Sequence, residues 1–277
     1  MRWQPAPPWR PCRGSHLSQS SIRLEINAPF GEIILNKPDK RNALSVDMWA
    51  AIPELIQRVV AADAVKVVIL HGGDAGAFAA GADISEFSTI YSTPEAAAQS
   101  GETIAAALNA IEHCPKPVIA AIDGACVGGG MSLAMAADLR VAGEGARFGI
   151  TPAKLGIVYP AGDTRRLVTA IGASRAKDIL FTARIFDVAE ANALGLLNRV
   201  VAAGEALAGA RELGEAVAAN SQWSVRAIKE MVAGVEAGWE ETSPEAAALF
   251  IAGFSSEDFV EGYSSFLEKR PAKFTFK

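Results

Sequence analysis

Two short glycine- and alanine-rich segments carry the residue types best suited to chemistry in this chain. One is Ala79-Ala80-Gly81-Ala82-Asp83-Ile84, which follows the β-branched run at residues 65–70. The other is Val127-Gly128-Gly129-Gly130-Met131-Ser132, which follows the apolar run 118–122 and opens a helical stretch. Glycine at a strand-to-helix switch lets main chain approach a ligand closely, and the first N–H groups of a helix lack intrahelical partners. Such groups attract negative charge, and the helix dipole adds to the pull. Two such loops at the ends of neighbouring strands could each aim one amide at a single oxygen, forming an oxyanion hole. Removing one donor from such a site typically costs roughly 3–4 kcal/mol of transition-state stabilisation. Either segment alone reads equally well as an ordinary turn that packs a helix tightly against a sheet.

The elements that must position these loops follow from the hydrophobic pattern. Residues 24–26 and 32–35 alternate around Ala28-Pro29-Phe30-Gly31 as a hairpin does. Asn42 is placed to cap a helix through residues 45–61, where apolar side chains recur at helical spacing. Residues 65–70 read as a buried parallel strand and 93–111 as a helix, which the Cys114-Pro115-Lys116-Pro117 segment ends. A strand at 118–122, a helix at 131–137 and a strand at 139–142 follow. Strand–loop–helix units recurring about every fifty residues indicate an α/β class with largely parallel pairing. Beyond Val188 the one strand-like run is 197–201, and residues 205–268 read as several helices.

Composition narrows the function classes. The chain has 277 residues, 50% hydrophobic and 21% charged, enough to bury a substantial core. A net charge of −5 gives no basic footprint for nucleic acid, so a phosphate-bearing ligand would need a local cluster of cations. Cys12, Cys114 and Cys126 are odd in number and lack C-x-x-C spacing, and His16, His71 and His113 stand far apart. Neither a disulfide framework nor a metal site is expected, and a reducing compartment is. The most apolar stretch, 118–137, is interrupted by Asp123 and a glycine cluster, so no membrane span is expected. Residues 1–21 are rich in Pro, Arg and Ser and free of acids, which reads as a disordered extension. A cytoplasmic location is expected, or the mitochondrial matrix if that extension is a transit peptide. No G-x-G-x-x-G fingerprint occurs, which sets a dinucleotide-binding dehydrogenase aside.

Taken together with their neighbours, the two loops resemble the crotonase (enoyl-CoA hydratase/isomerase) superfamily. Asn36-Lys37-Pro38-Asp39-Lys40-Arg41-Asn42-Ala43-Leu44, the loop at 80–84, Lys116-Pro117-Val118-Ile119-Ala120-Ala121, the triple glycine and Ala137-Asp138-Leu139 fall in that family's order and spacing. The tail Glu261-Gly262-Tyr263-Ser264-Ser265-Phe266-Leu267-Glu268-Lys269-Arg270 is similar too. The resemblance implies a spiral α/β core of ββα units at 22–204 and a helical oligomerisation subdomain at 205–277. It further implies an acyl-CoA thioester substrate, a homotrimer or dimer of trimers, and no cofactor or metal beyond the CoA moiety. It places the oxyanion amides at Ala82 and Gly129. The CoA nucleotide would lie along Lys40, Arg41, Ala80, Asp83 and Ile84, with Phe266 and Lys269 reaching a neighbouring subunit's adenine. Each of those cations reads equally as a solvated surface charge.

Departures from the family pattern bear on the reaction. Hydratases of the family use two glutamates, and the matching positions here are Ser132 and Pro152. Proline has no ionisable group, and a serine hydroxyl needs a partner base. The segment Thr151-Pro152-Ala153-Lys154-Leu155-Gly156-Ile157-Val158-Tyr159 is similar to one in the superfamily's methylmalonyl-CoA decarboxylases. Decarboxylation of a malonyl-type thioester needs an oxyanion hole and an oriented carboxylate but no base, and is the preferred expectation. Tyr159 would orient that carboxylate, or be a half-buried aromatic. The alternatives are hydration or isomerisation with Asp163 or Tyr159 as relocated acid/base, and a CoA-thioester-binding protein without catalysis. Asp163 stands directly before Thr164-Arg165-Arg166-Leu167-Val168 and reads first as a helix N-cap, second as a catalyst. Glu86 reads as a surface residue or one near the acyl pocket, and Met131, Met135 and Phe148 read as core.

Overall fold

The computed structural model describes residues 21–276, so the expected extension (Ser21 apart), Cys12 and His16 lie outside the described residues. Strands β1 (Ile22–Asn27) and β2 (Phe30–Leu35) form the anticipated antiparallel hairpin, with Ile22 opposite Leu35. A 3-10 turn (Pro38–Lys40) leads to α1 (Val46–Ala61), and β3 (Val67–His71) follows. The next connection carries a second 3-10 turn (Ile84–Glu86), α2 (Phe87–Ile90) and α3 (Pro94–Glu112). Then come β4 (Val118–Ile122), β5 (Ala125–Val127), α4 (Gly129–Ala136), β6 (Leu139–Gly143) and β7 (Arg147–Gly149). After a third 3-10 turn (Pro152–Leu155) the chain forms α5 (Ala161–Ile171), α6 (Ala173–Thr182), β8 (Ile185–Asp187), α7 (Val188–Ala193) and β9 (Arg199–Val201). Helices α8 (Ala206–Ala218), α9 (Gln222–Glu236), α10 (Pro244–Gly253) and α11 (Glu257–Glu268) complete it.

One sheet has the order β1-β2-β3-β4-β6-β9, parallel from β2 onward, and a smaller sheet joins β5, β7 and β8. The α/β class with parallel pairing is the one the alternating pattern implies. Because β3 and β4 are parallel neighbours, the loops that leave their C-terminal ends emerge side by side, where open α/β sheets place their ligands. Helix α1 buries Met48, Trp49, Ile52, Leu55, Ile56 and Val59, a three-and-four spacing that lays one stripe on the core. Met131, Met135 and Phe148 are buried, as expected of core residues. On the opposite face α8 closes the sheet, its Ala206, Ala210 and Ala218 packing with Phe30, Val67, Ile69, Ile119 and Val141. Small side chains allow that close approach. Helix α9 is tied to the core through Lys229 Nζ, 2.7 Å from a carboxylate oxygen of Asp138. Among the described residues no helix is long and apolar enough to cross a membrane.

The structure corrects the expected cap of α1. Ser45, not Asn42, is the N-cap residue of α1. Asn42 is fully buried with φ of +57°, a left-handed conformation that asparagine tolerates better than most residues. Its side chain accepts a hydrogen bond from the Lys37 amide and donates to the carbonyls of Gly72, Ala77 and Phe78. It therefore braces the loop after β3 against the one before α1. Alanine at Asn42 would strand several buried carbonyls, each worth roughly 1–3 kcal/mol when unsatisfied. Asn42→Ala should thus lower unfolding stability in urea by about 2–4 kcal/mol. An unchanged midpoint would contradict the bracing role.

Candidate active site

The loop after β3 is held on both sides by main chain. On one flank Phe78 N donates to Asp123 O (2.7 Å), Ala79 N to Ala125 O (2.9 Å) and Val127 N to Ala79 O (3.0 Å). On the other, Ala80 N donates to Arg41 O, Leu44 N to Gly81 O (2.7 Å) and Asp83 N to Leu44 O (2.9 Å). Gly81 takes φ of +113° and Gly128 φ of +52°, conformations that side-chain-bearing residues rarely adopt. The two glycines face each other: a Cβ built on Gly128 would lie 3.8 Å from the Cα of Gly81. Their successors in the chain are Ala82 and Gly129. Neither amide has an acceptor among the described residues, Gly129 being the first residue of α4. Trp49 and Leu44 of the α1 region press on Gly129, where a Cβ would meet their side chains at 3.0 and 3.1 Å. The two sequence-predicted oxyanion residues thus lie in adjoining loops with unpaired N–H groups.

Beside the helix start lies a buried polar chain. Ser132, in α4, is 2.9 Å from the Tyr159 hydroxyl and donates to Asp163 Oδ2 at 3.0 Å. A serine hydroxyl has one proton, so while Asp163 is ionised the Tyr159 hydroxyl must donate to Ser132. The order Tyr159→Ser132→Asp163 follows. The reading of Asp163 as an N-cap is overturned. Helix α5 starts at Ala161 with Pro160 as its N-cap, and Asp163 sits inside the first turn with 2% exposure. Its other oxygen accepts from Arg166 Nη1 at 3.0 Å. Tyr159 is the one buried residue of the segment 153–160. Burial holds its phenol proton on far above the usual tyrosine range. Burial also raises the pKa of Asp163, although Ser132's hydrogen bond and the Arg166 charge pull it back down. Pro152 opens the 3-10 turn as its first residue, a place where the missing N–H costs nothing.

The residues expected along a CoA nucleotide lie around Asp83. Its carboxylate, 6% exposed, bonds Lys37 Nζ at 2.7 Å, Lys40 Nζ at 2.8 Å and Ser85. Hydrogen bonds from Lys37, Lys40 and Ser85 hold Asp83 well below the usual carboxylate range. Lys37 escaped the sequence reading of this group, and Asp83 serves as its anchor. Arg41 is exposed in a left-handed turn and has no carboxylate partner among the described residues; the Ala80 amide donates to its carbonyl, and the exposed Ile84 follows Asp83 in the chain. Phe266 and Lys269 are exposed at the end of α11, distant in sequence from these loops. Glu86 does not join the buried chain: its carboxylate accepts the Val46 amide at 2.9 Å, at the first turn of α1. No group of three or more potential metal-ligating residues is gathered among the described residues.

The sequence model of the enoyl-CoA hydratase/isomerase family matches residues 25–277. The chain belongs to that family. A crotonyl-CoA hydratase from Syntrophomonas wolfei is 34% identical over 262 residues, covering 94% of this chain and 100% of the relative. An enoyl-CoA hydratase/isomerase family protein from Hyphomonas neptunium superposes with a TM-score of 0.92 at 64% identity, covering 93% of this chain and 98% of its own. An enoyl-CoA hydratase from Bacillus anthracis superposes with a TM-score of 0.87 at 30% identity, over 93% of this chain and all of its own. Within this enoyl-CoA hydratase/isomerase fold, Gly130 is a tight joint between the two loops. A Cβ there would come 2.5 Å from the Ala79 carbonyl oxygen. Gly130→Ala should therefore lower the thermal midpoint, whereas Gly101→Ala, in α3 with open space around it, should leave it level or raise it. Equal midpoints for the two variants would refute the close-joint assignment.

Proposed function

We propose that the protein adds water to an enoyl-CoA thioester, with the amides of Ala82 and Gly129 binding the thioester oxygen and Asp163 handling the proton through Ser132. The observation that carries this reading is the hydrogen bond from Ser132 to the buried Asp163. Ser132 occupies a position where the family's hydratases use glutamate, and a carboxylate approaches that position from α5 instead. The preference for decarboxylation drawn from the sequence rested on the lack of a base at positions 132 and 152 and on the resemblance of the segment 151–159. With Asp163 freed from a capping role, a base is at hand, and the relatives named above are hydratases or hydratase/isomerase family members.

In this mechanism the hydroxyl of water ends on the β-carbon and its proton on the α-carbon. Ser132 passes the water proton to ionised Asp163 as the C–O bond forms and the carbon–carbon π electrons move toward the thioester. The resulting enolate oxygen carries the negative charge between the two amides, which are aimed and need not reorganise. Asp163 then returns the proton, through Ser132, to the α-carbon. Tyr159 stays a neutral phenol and steadies the serine. Lys37, Lys40 and Arg41 supply the local positive charge that a CoA phosphate requires of a chain with net charge −5.

Loss of enoyl absorbance from crotonyl-CoA tests the reaction, and CO₂ release from methylmalonyl-CoA in place of it would overturn the reading in favour of decarboxylation. The base works ionised, and its pKa is raised, so kcat/KM should fall with decreasing pH through a midpoint above the ordinary carboxylate range. Asp163→Asn should remove that acid limb and lower kcat by about 10²–10⁴-fold. A wild-type limb retained in this variant would exclude Asp163 as the base. For the oxyanion site, Gly129→Ala introduces the clash with Trp49 but keeps the amide, whereas Gly129→Pro also deletes the donor. The proline variant should be slower than the alanine variant by about 10²-fold or more. Similar rates would show that the amide is not used.

A further inference from the structure

The guanidinium of Arg166 is 5% exposed, and each of its three nitrogens donates a hydrogen bond. Nη1 donates to Asp163 Oδ1 at 3.0 Å. Nη2 donates to Glu112 Oε2 at 2.6 Å and to Asn109 Oδ1 at 3.1 Å, and Nε reaches the same Glu112 oxygen at 3.1 Å. Arg166 lies one helical turn after Asp163 on α5, while Asn109 and Glu112 lie one turn apart on α3. The planar fork of an arginine fits such an arrangement, since its donors leave in fixed directions. One donor occupies Asp163 Oδ1, which leaves Oδ2 toward Ser132. Nε and Nη2 are spent on α3, so the guanidinium cannot swing away from Asp163 without breaking several bonds at once.

We propose that Arg166 is the positioning residue of this site, clamped by Glu112 and Asn109 so that it turns the second oxygen of Asp163 toward Ser132 and fixes the charge that Asp163 meets. This rests on the reading of Asp163 as the group that handles the proton. A merely structural arginine between two helices would not need to share its fork with a buried carboxylate that itself bonds a second side chain. The groups facing Asp163 are Ser132 from α4, Arg166 from its own helix, Glu112 from α3 across the guanidinium, and Tyr159 through Ser132. Arg166 favours the ionised carboxylate and Glu112 opposes it, so the two substitutions should move Asp163 in opposite directions. Arg165, on the solvent side, bonds Glu112 at 2.5 Å and thereby links the pair to the surface.

Infrared difference spectra of wild type against Asp163→Asn give the carboxyl band of Asp163, and its titration midpoint can be followed without substrate. Arg166→Met, read in the same way against its own Asp163→Asn double variant, should raise that midpoint by about one pH unit or more, and Glu112→Gln should lower it. Arg166→Lys keeps the charge without the fork and serves where the methionine variant fails to fold. Its midpoint should stay near that of wild type, while kcat on crotonyl-CoA falls at little cost in KM. Midpoints that do not move in Arg166→Met and Glu112→Gln would overturn the inference. A midpoint that moves while the pH profile of crotonyl-CoA turnover stays fixed would leave the hold of Arg166 on Asp163 intact and refute the catalytic reading of Asp163.

Discussion

Everything at this site depends on a few main-chain hydrogen bonds that clamp the loop after β3 between two other segments. Ala79 exchanges bonds with Ala125 and Val127 on one side, and Gly81 and Asp83 pair with Leu44 on the other. With both flanks bound, the loop has little freedom to rotate its amides. The N–H groups of Ala82 and Gly129 are left over by this pattern, one from an extended loop and one from a helix start. Unpaired donors on a rigid frame suit a developing oxyanion, because no reorganisation precedes their use. The parallel pairing of β3 with β4 is what brings the two loops to the same end of the sheet.

The second constraint is electrostatic. Ser132, Tyr159 and Asp163 are all nearly excluded from solvent, where an ionised carboxylate survives only with partners. Asp163 has two, a hydroxyl on one oxygen and a guanidinium on the other. Burial and partners pull its proton affinity in opposite directions, and burial dominates. A carboxylate poised in this way combines a stronger base than an exposed aspartate with a fixed geometry. The cation cluster around Asp83 works by the opposite balance, since hydrogen bonds outweigh desolvation there.

Much of this was legible in the residue pattern. The long elements α1, α3, β3 and β4 announce themselves through apolar periodicity, and both glycine-bearing loops through their place after buried strands. The three-residue strands β5, β7 and β8 did not, because so short a run carries no period. Asn42 misled because a residue suited to capping is suited, for the same short polar side chain, to a left-handed turn that ties loops together. Asp163 misled for a related reason: an acid near a helix start looks like a cap until the helix boundary is known, and here the helix begins two residues earlier. Arg166, Glu112, Asn109 and Lys37 gave no local signal, since their partners lie on other elements and meet only in the folded chain.

The most direct test of the account is a crystal structure with a bound acyl-CoA, such as crotonyl-CoA held by the slow Asp163→Asn variant. The thioester oxygen should lie about 2.7–3.1 Å from both the Ala82 and the Gly129 nitrogen atoms, with the acyl carbons beside Ser132. A thioester oxygen bonded elsewhere, or reached by one of these amides alone, would contradict it.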